Sequence, residues 1–174
     1  MTVSNIVLVG FMGTGKSTVG KKLAERLGWQ FRDSDAVLEE DEQTSISALF
    51  QNHGEAHFRA LETKTLARIL TARDQVVATG GGAVLAETNR NCMLQYGFVV
   101  SLQATAETII QRVSMDTNRP LLQGNLEERV HTLMDQRKHA YDFAHISIDT
   151  TELTEDQIAD RIIQQAGLVT ERED

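Results

Sequence analysis

The chain holds one cysteine and one proline in 174 residues. A single Cys92 can close no disulfide within the chain, which points to a reducing compartment. Its neighbours Met93 and Leu94 suggest a helix flank, where the thiol would be inert. No apolar run approaches the roughly 20 residues needed to span a bilayer. The opening Met1-Thr2-Val3-Ser4-Asn5 lacks the basic region of a signal peptide, and the Ile6–Val9 run after it is too short for one. These absences lead us to expect a cytoplasmic protein with no membrane partner. Positive charge is also scarce: 17 Lys and Arg stand against 25 Asp and Glu, a net charge of -8. Phosphate backbones are held by clustered cations, and here the cations are scattered, so nucleic acid is a poor partner. Repeats, low-complexity tracts and linkers are absent. The one proline, Pro120, stands in the polar stretch Met115–Gly124, which reads as a loop long enough to move.

Apolar residues make up 41% and charged residues 24%, the balance of an ordinary globular domain. A chain of this length buries a core of its own as one domain. Short apolar runs at Ile6–Val9, Val76–Ala78, Phe98–Leu102 and Ile146–Ile148, with a weaker one at Trp29–Phe31, read as buried parallel strands. Helical spacing separates them. It appears at Val19, Leu23 and Leu27, at Ile46, Leu49 and Phe50, at Phe58, Leu61, Thr65 and Ile69, at Leu126, Val130 and Leu133, and at Ile158, Ile162 and Ile163. Strands alternating with helices predict an α/β fold around a parallel sheet. Ligands of such sheets sit beyond the C-terminal ends of the strands.

The segment after the first strand, Gly10-Phe-Met-Gly-Thr-Gly-Lys-Ser17, fits G-x-x-x-x-G-K-[ST] in full. Its glycines let backbone N–H groups converge on phosphate oxygens, and a helix starting near Lys16 would aim its positive end at the same anion. The motif therefore predicts a bound nucleotide, with Gly13, Thr14, Gly15 and Thr18 around the phosphates. Lys16 would reach the β- and γ-phosphates, and the Ser17 hydroxyl would ligate Mg²⁺.

The second strand runs into Asp33-Ser34-Asp35. If the strand continues, both carboxylates face one side, and one can hold Mg²⁺ through water while the other takes a substrate hydroxyl proton. A solvated turn capping the next helix fits the same residues. The third strand runs into Gly80-Gly81-Gly82, costly in conformational entropy unless a ligand approaches the backbone or the N–H groups form an anion nest. Arg59 has Glu62 three residues on as a brace. Arg137 extends the apolar stripe of Leu133 and Met134, where a buried cation needs a partner such as a ligand carboxylate. Either arginine also fits a surface salt bridge. Arg119, beside Pro120, can swing over the phosphates, and Arg112 can lie against the base, although loop arginines are commonly just solvated. His53 and His57 lack a third metal ligand and read as ordinary helix residues.

Together Gly10–Thr18, Asp33-Ser-Asp35, Phe58-Arg59 with Glu62, Gly80–Gly82, Arg119-Pro-Leu-Leu122 and Arg137 before Tyr141 resemble shikimate kinase, in the order and spacing of that family, from residue 6 to residue 149. The resemblance implies a nucleoside monophosphate kinase-like, three-layer α/β/α fold on a five-stranded parallel sheet of order 2-3-1-4-5. It implies a single domain over 1–174, with substrate-binding helices over about 34–60 and a lid over about 113–125. It also implies ATP and shikimate as substrates, shikimate 3-phosphate and ADP as products, and a monomer serving chorismate and aromatic amino acid biosynthesis. In it Asp35, Arg59, Gly80, Gly81, Gly82 and Arg137 hold shikimate, Ser17 and Asp33 attend Mg²⁺, and Lys16 and Arg119 stabilise the transferring phosphoryl group. Leu153 stands where relatives often carry Pro or Gln beside the adenine. Two rival readings weigh less. Gluconate and nucleoside monophosphate kinases do not combine Gly80–Gly82 with two such arginines, and a GTP switch would carry Asn-Lys-x-Asp, which is missing.

Overall fold

A computed structural model describes residues 3–114 and 125–170. Five strands form one parallel sheet: β1 (Asn5–Val9), β2 (Gln30–Asp33), β3 (Gln75–Ala78), β4 (Phe98–Gln103) and β5 (Ile146–Asp149). Their spatial order is β2-β3-β1-β4-β5. β1 pairs with β3 through Ile6 and Val76, and with β4 through Ile6 and Phe98. Central strands are covered on both faces, so β1 and β3 are buried along their whole length and appear in sequence as unbroken apolar runs. β2 lies at the edge and alternates between exposed and half-buried residues, which is why its sequence signal is weak.

Side chains alternate across a strand, and β1 shows it. Ile6 and Leu8 join one core with Val19 and Leu23 of α1 (Lys16–Leu27) and Ile158 and Ile162 of α7 (Glu155–Gln165). Val7 and Val9 join the opposite core with Leu66 and Leu70 of α3 (Ile46–Leu70), Met93 of α4 (Glu87–Tyr96), Ile109 of α5 (Ala106–Val113) and Val130 of α6 (Leu126–Gln136). A third, small cluster of Leu38, Leu49 and Phe58 fastens α2 (Ser34–Glu42) to α3.

Two sequence expectations change in detail. The stretches at 46–50 and 58–69 form one element broken at Gly54, whose φ of 83° and ψ of 173° leave the helical region. β2 also stops at Asp33, and Ser34 opens α2, so Asp33 and Asp35 are not two rungs of one strand. Asp33 instead caps α2, its side chain accepting from the N–H groups of Asp35 and Ala36. Cys92 lies within α4, half-buried, and burial pushes its thiol pKa up.

Candidate active site

The phosphate loop leaves β1 at Val9 and enters α1 at Lys16. Gly15 makes that entry at φ 93°, a left-handed conformation that a side chain would strain. α2, α3, α5, α6 and α7 each begin with a side-chain cap, whereas α1, like α4, begins with none. Its first N–H groups therefore stay open to an anion. Thr14 Oγ1 donates to the Phe11 carbonyl at 2.8 Å, and Lys16 Nζ donates to the carbonyls of Gly10 and Phe11 at 2.8 and 2.9 Å. The loop is thus tied into a ring by its own lysine.

That ring forms one wall of a cavity of about 430 Å³, which Asp33, Asp35, Thr79, Gly80 and Gly81 close from the other side. Ser17 Oγ donates to Asp33 Oδ2 at 2.9 Å. The two oxygens of Asp33 therefore divide their work: Oδ1 caps α2 and Oδ2 holds the exposed Ser17 hydroxyl. A neighbouring cavity of about 470 Å³ shares Gly15, Thr18 and Arg112 with the first and continues to Val19, Thr150, Leu153 and Ile158. Arg112, in the last turn of α5, stands between the two and donates to the Gly13 carbonyl at 3.0 Å and to Thr150 Oγ1 at 3.5 Å.

Beyond the first cavity the three glycines run through a cluster of charge. A Cβ at Gly80 would lie 2.9 Å from Asp35 Oδ1 and 3.1 Å from Glu62 Oε2, and one at Gly82 would lie 2.8 Å from the Arg59 Cζ. A side chain at either position would push these charged groups aside. Arg59 Nη1 donates to Glu62 Oε1 at 2.8 Å, and Nη2 reaches Glu55 at 3.3 Å. Glu62 is almost wholly buried. Arg137 follows the last residue of α6 and is 5% exposed, its guanidinium 5.8 Å from the Phe11 ring.

Three buried atoms of this cluster have no hydrogen-bond partner among the described residues: Asp35 Oδ1, Glu62 Oε2 and Arg137 Nη1. Buried polar groups are nearly always satisfied, so three orphans around one backbone segment mark a place built for a polar ligand. Burial raises the Asp35 pKa from 3.8 to about 7, with help from Asp33 and Glu62 and against the pull of Lys16. Burial likewise raises that of Glu62, with Arg59 opposing. A carboxyl group with its pKa near neutrality and two guanidinium groups thus surround the one glycine turn.

The sequence-predicted residues Gly13, Thr14, Gly15, Lys16, Ser17, Thr18, Asp33, Asp35, Gly80, Gly81 and Arg112 line the two adjoining cavities. Arg59, Gly82 and Arg137 stand just behind, around the glycines. Arg119 and the expected lid at 115–124 lie outside the described residues. Sequence reasoning placed Tyr141 in the family pattern without a role and did not single out Thr150; the Tyr141 hydroxyl donates to the Gly81 carbonyl at 2.8 Å, and Thr150 donates to the carbonyls of Thr14 and Gln103. All three bonds span long stretches of chain and leave no local signal. His53 and His57 are exposed, their ring centroids 4.8 Å apart. No group of three or more His, Cys, Asp or Glu suited to a metal occurs among the described residues.

A phosphate loop after the first strand, a 2-3-1-4-5 parallel sheet and a second polar pocket beside the phosphates define a P-loop kinase that acts on a small molecule. A model of the shikimate kinase family matches residues 12–167, and the chain belongs to that family. It is 45% identical over 161 residues to a shikimate kinase of Geobacter metallireducens, covering 91% of this chain and 90% of the relative. It is 48% identical over 147 residues to a shikimate kinase of Geobacter sulfurreducens, covering 84% and 81%. A solved structure of the shikimate kinase from Acinetobacter baumannii in complex with shikimate superposes with a TM-score of 0.91 at 41% identity, covering 94% of this chain and 93% of that one.

Proposed function

We infer that this chain transfers the γ-phosphoryl group of ATP to the 3-hydroxyl of shikimate, giving shikimate 3-phosphate and ADP on the way to chorismate and the aromatic amino acids. The observation that carries the reading is the orphaned trio of Asp35 Oδ1, Glu62 Oε2 and Arg137 Nη1 around Gly80–Gly82, beside the phosphate loop. A ring bearing hydroxyls and one carboxylate satisfies all of them. Arg59 and Arg137 clamp the carboxylate, the Gly81 backbone closes the pocket, and Asp35 orients the 3-hydroxyl and takes its proton at Oδ1. A base whose pKa is raised to about 7 is matched to work at neutral pH.

The triphosphate lies along Gly13–Thr18, with Lys16 drawn from its carbonyls to the transferring group. Arg112 lies against the base in the cavity of Leu153 and Ile158. The hard oxygens of Ser17 and Asp33, 2.9 Å apart at the loop, suit Mg²⁺ better than a softer metal. Ser17 would hold the ion directly and Asp33 through water, and the ion would neutralise charge on the β- and γ-phosphates. The same reading takes 1–174 as one domain, with substrate-binding helices over about 34–60 and a lid over about 113–125 that brings Arg119 to the phosphates. The enzyme is then a cytoplasmic monomer that binds neither nucleic acid nor membrane. The net charge of -8 supports the former, and no described helix is long and apolar enough to cross a bilayer.

A coupled ADP-release assay with Mg-ATP tests the whole. Release is expected with shikimate and not with gluconate or without an acceptor. Release with gluconate alone would discard the roles given to the two arginines. A finer test addresses the glycines. In Gly82→Ala the backbone is compatible with alanine, at φ -96° and ψ 0°, yet the new Cβ forces Arg59 aside. Losing one charge-assisted contact costs roughly 1.5–3 kcal/mol. The KM for shikimate is expected to rise tenfold or more, with the KM for ATP little changed. Normal shikimate kinetics would mean that Arg59 does not touch the substrate.

A further inference from the structure

We propose that Tyr141 is a positioning residue for the acceptor, holding the Gly81 backbone and the Arg137 guanidinium in one fixed relation. The proposal rests on the reading of this pocket as the shikimate site. Tyr141 is buried, and its hydroxyl donates to the Gly81 carbonyl at 2.8 Å, across 60 residues of chain. Arg137 lines the same cavity as Tyr141, its Nη1 would lie 3.6 Å from a Cβ at Gly81, and its charge acts on the phenol. The hydroxyl therefore holds one ligand-facing group and its ring borders another, and the two come from different elements. On one side is the glycine turn after β3, on the other the end of α6.

The local chain explains how the phenol reaches both. After α6, Ala140 N–H donates to the Arg137 carbonyl and Ala144 N–H to the Tyr141 carbonyl, so a run of tight turns carries Tyr141 back under Arg137. The far side of the glycine turn is already secured. Asn89 Nδ2 donates to the Ala83 carbonyl at 2.9 Å, and Arg90 Nη1 donates to the Val84 carbonyl at 2.7 Å. Gly81 lies before those anchors, and Tyr141 supplies the side-chain bond at its carbonyl. Fixing that carbonyl fixes the Gly81–Gly82 peptide plane, and with it the direction of the Gly82 N–H offered to the acceptor. Burial pushes the phenol pKa up to about 12, against the influence of Arg137 and Arg59, so the hydroxyl stays a donor throughout the working range of the enzyme.

Tyr141→Phe removes the hydroxyl and keeps the ring. Calorimetric binding of shikimate, steady-state kinetics for both substrates and thermal melting are measured on the full chain. Shikimate affinity is expected to weaken about five- to tenfold, the loss of a hydrogen bond between a neutral and a charged case, with the KM for shikimate rising in step. The KM for ATP and the melting temperature are expected to stay near wild type. In an Arg137→Lys background the added effect of Tyr141→Phe is expected to shrink, because the two side chains act on one ligand group. Unchanged shikimate affinity in Tyr141→Phe overturns the proposal. So does an equal loss for both substrates accompanied by a lower melting temperature, which would make the hydroxyl merely structural. Wild-type protein that binds no shikimate refutes the assignment of the pocket itself, an outcome distinct from a wild type that binds and a variant that binds equally well.

Discussion

Asp35→Asn is expected to lower kcat by about 10²-fold or more, the usual contribution of a positioned base, while making the protein harder to melt at pH 8. The two effects share one cause. The Asp35 carboxyl is buried beside Asp33 and Glu62, and its pKa rises from 3.8 to about 7. Between those values the native state keeps a proton that the unfolded chain has lost. Stability therefore falls as the pH rises from about 4 to about 7, and the wild type carries the full penalty above that window. At 1.36 kcal/mol per pH unit, the displacement from 3.8 to about 7 is worth up to about 4 kcal/mol. The side chain is partly reached by solvent and feels Lys16, so we take about half of that, ~2 kcal/mol. For a domain of this size such a gain raises the melting temperature by about 4–8 °C. Asparagine carries no charge to bury, so the gain is expected at pH 8 and should largely vanish near pH 4. An equal gain at both pH values would mean that the charge is not its source. The kinetic counterpart is a wild-type kcat/KM that declines as the pH drops through about 7, since protonation at Oδ1 removes the acceptor for the substrate proton.

Asp33 shows how local the legible part of this site is. Its sequence context offered either a helix cap or a metal-site carboxylate, and the folded side chain serves two partners at once, one through each oxygen. A carboxylate accepts along two oxygens, so the cap at Oδ1 leaves Oδ2 to Ser17. The sheet was readable for a different reason. β1, β3 and β4 lie inside the sheet and must be apolar nearly throughout, while β2 at the edge needs apolar residues on one face only and so left a shorter trace. The break at Gly54 was hidden because the apolar spacing resumes on its far side. The glycine run announced a close approach without saying to what. The answer, Asp35, Glu62 and Arg59 from α2 and α3, is a tertiary fact. What Tyr141 and Thr150 bond to could not be read locally, since those partners lie 60 and 136 residues away.

Arg137→Lys keeps a positive charge near the pocket and removes the planar fork, and it is expected to raise the KM for shikimate about 10- to 100-fold, a loss of 1.5–3 kcal/mol. Lysine offers a point charge in place of two parallel donors, and it loses the guanidinium that stands 5.8 Å from the centre of the Phe11 ring. Its ammonium would also be buried next to the orphaned Glu62 Oε2, which gives it a competing partner inside the protein. Neither nucleotide-side cavity includes Arg137 among its walls, so the KM for ATP is expected to stay near wild type. The equivalent change at Arg59 is expected to be milder in affinity and harsher in stability, because Arg59 also neutralises the buried Glu62 at 2.8 Å. The methyl ester of shikimate separates recognition of the carboxylate from general damage to the pocket. Wild-type enzyme should lose affinity for the ester by a factor like that of the mutation, and the variant should lose little more, since one interaction cannot be removed twice. Full additivity of the two losses would place the carboxylate elsewhere and leave Arg137 as a group that only shapes the wall.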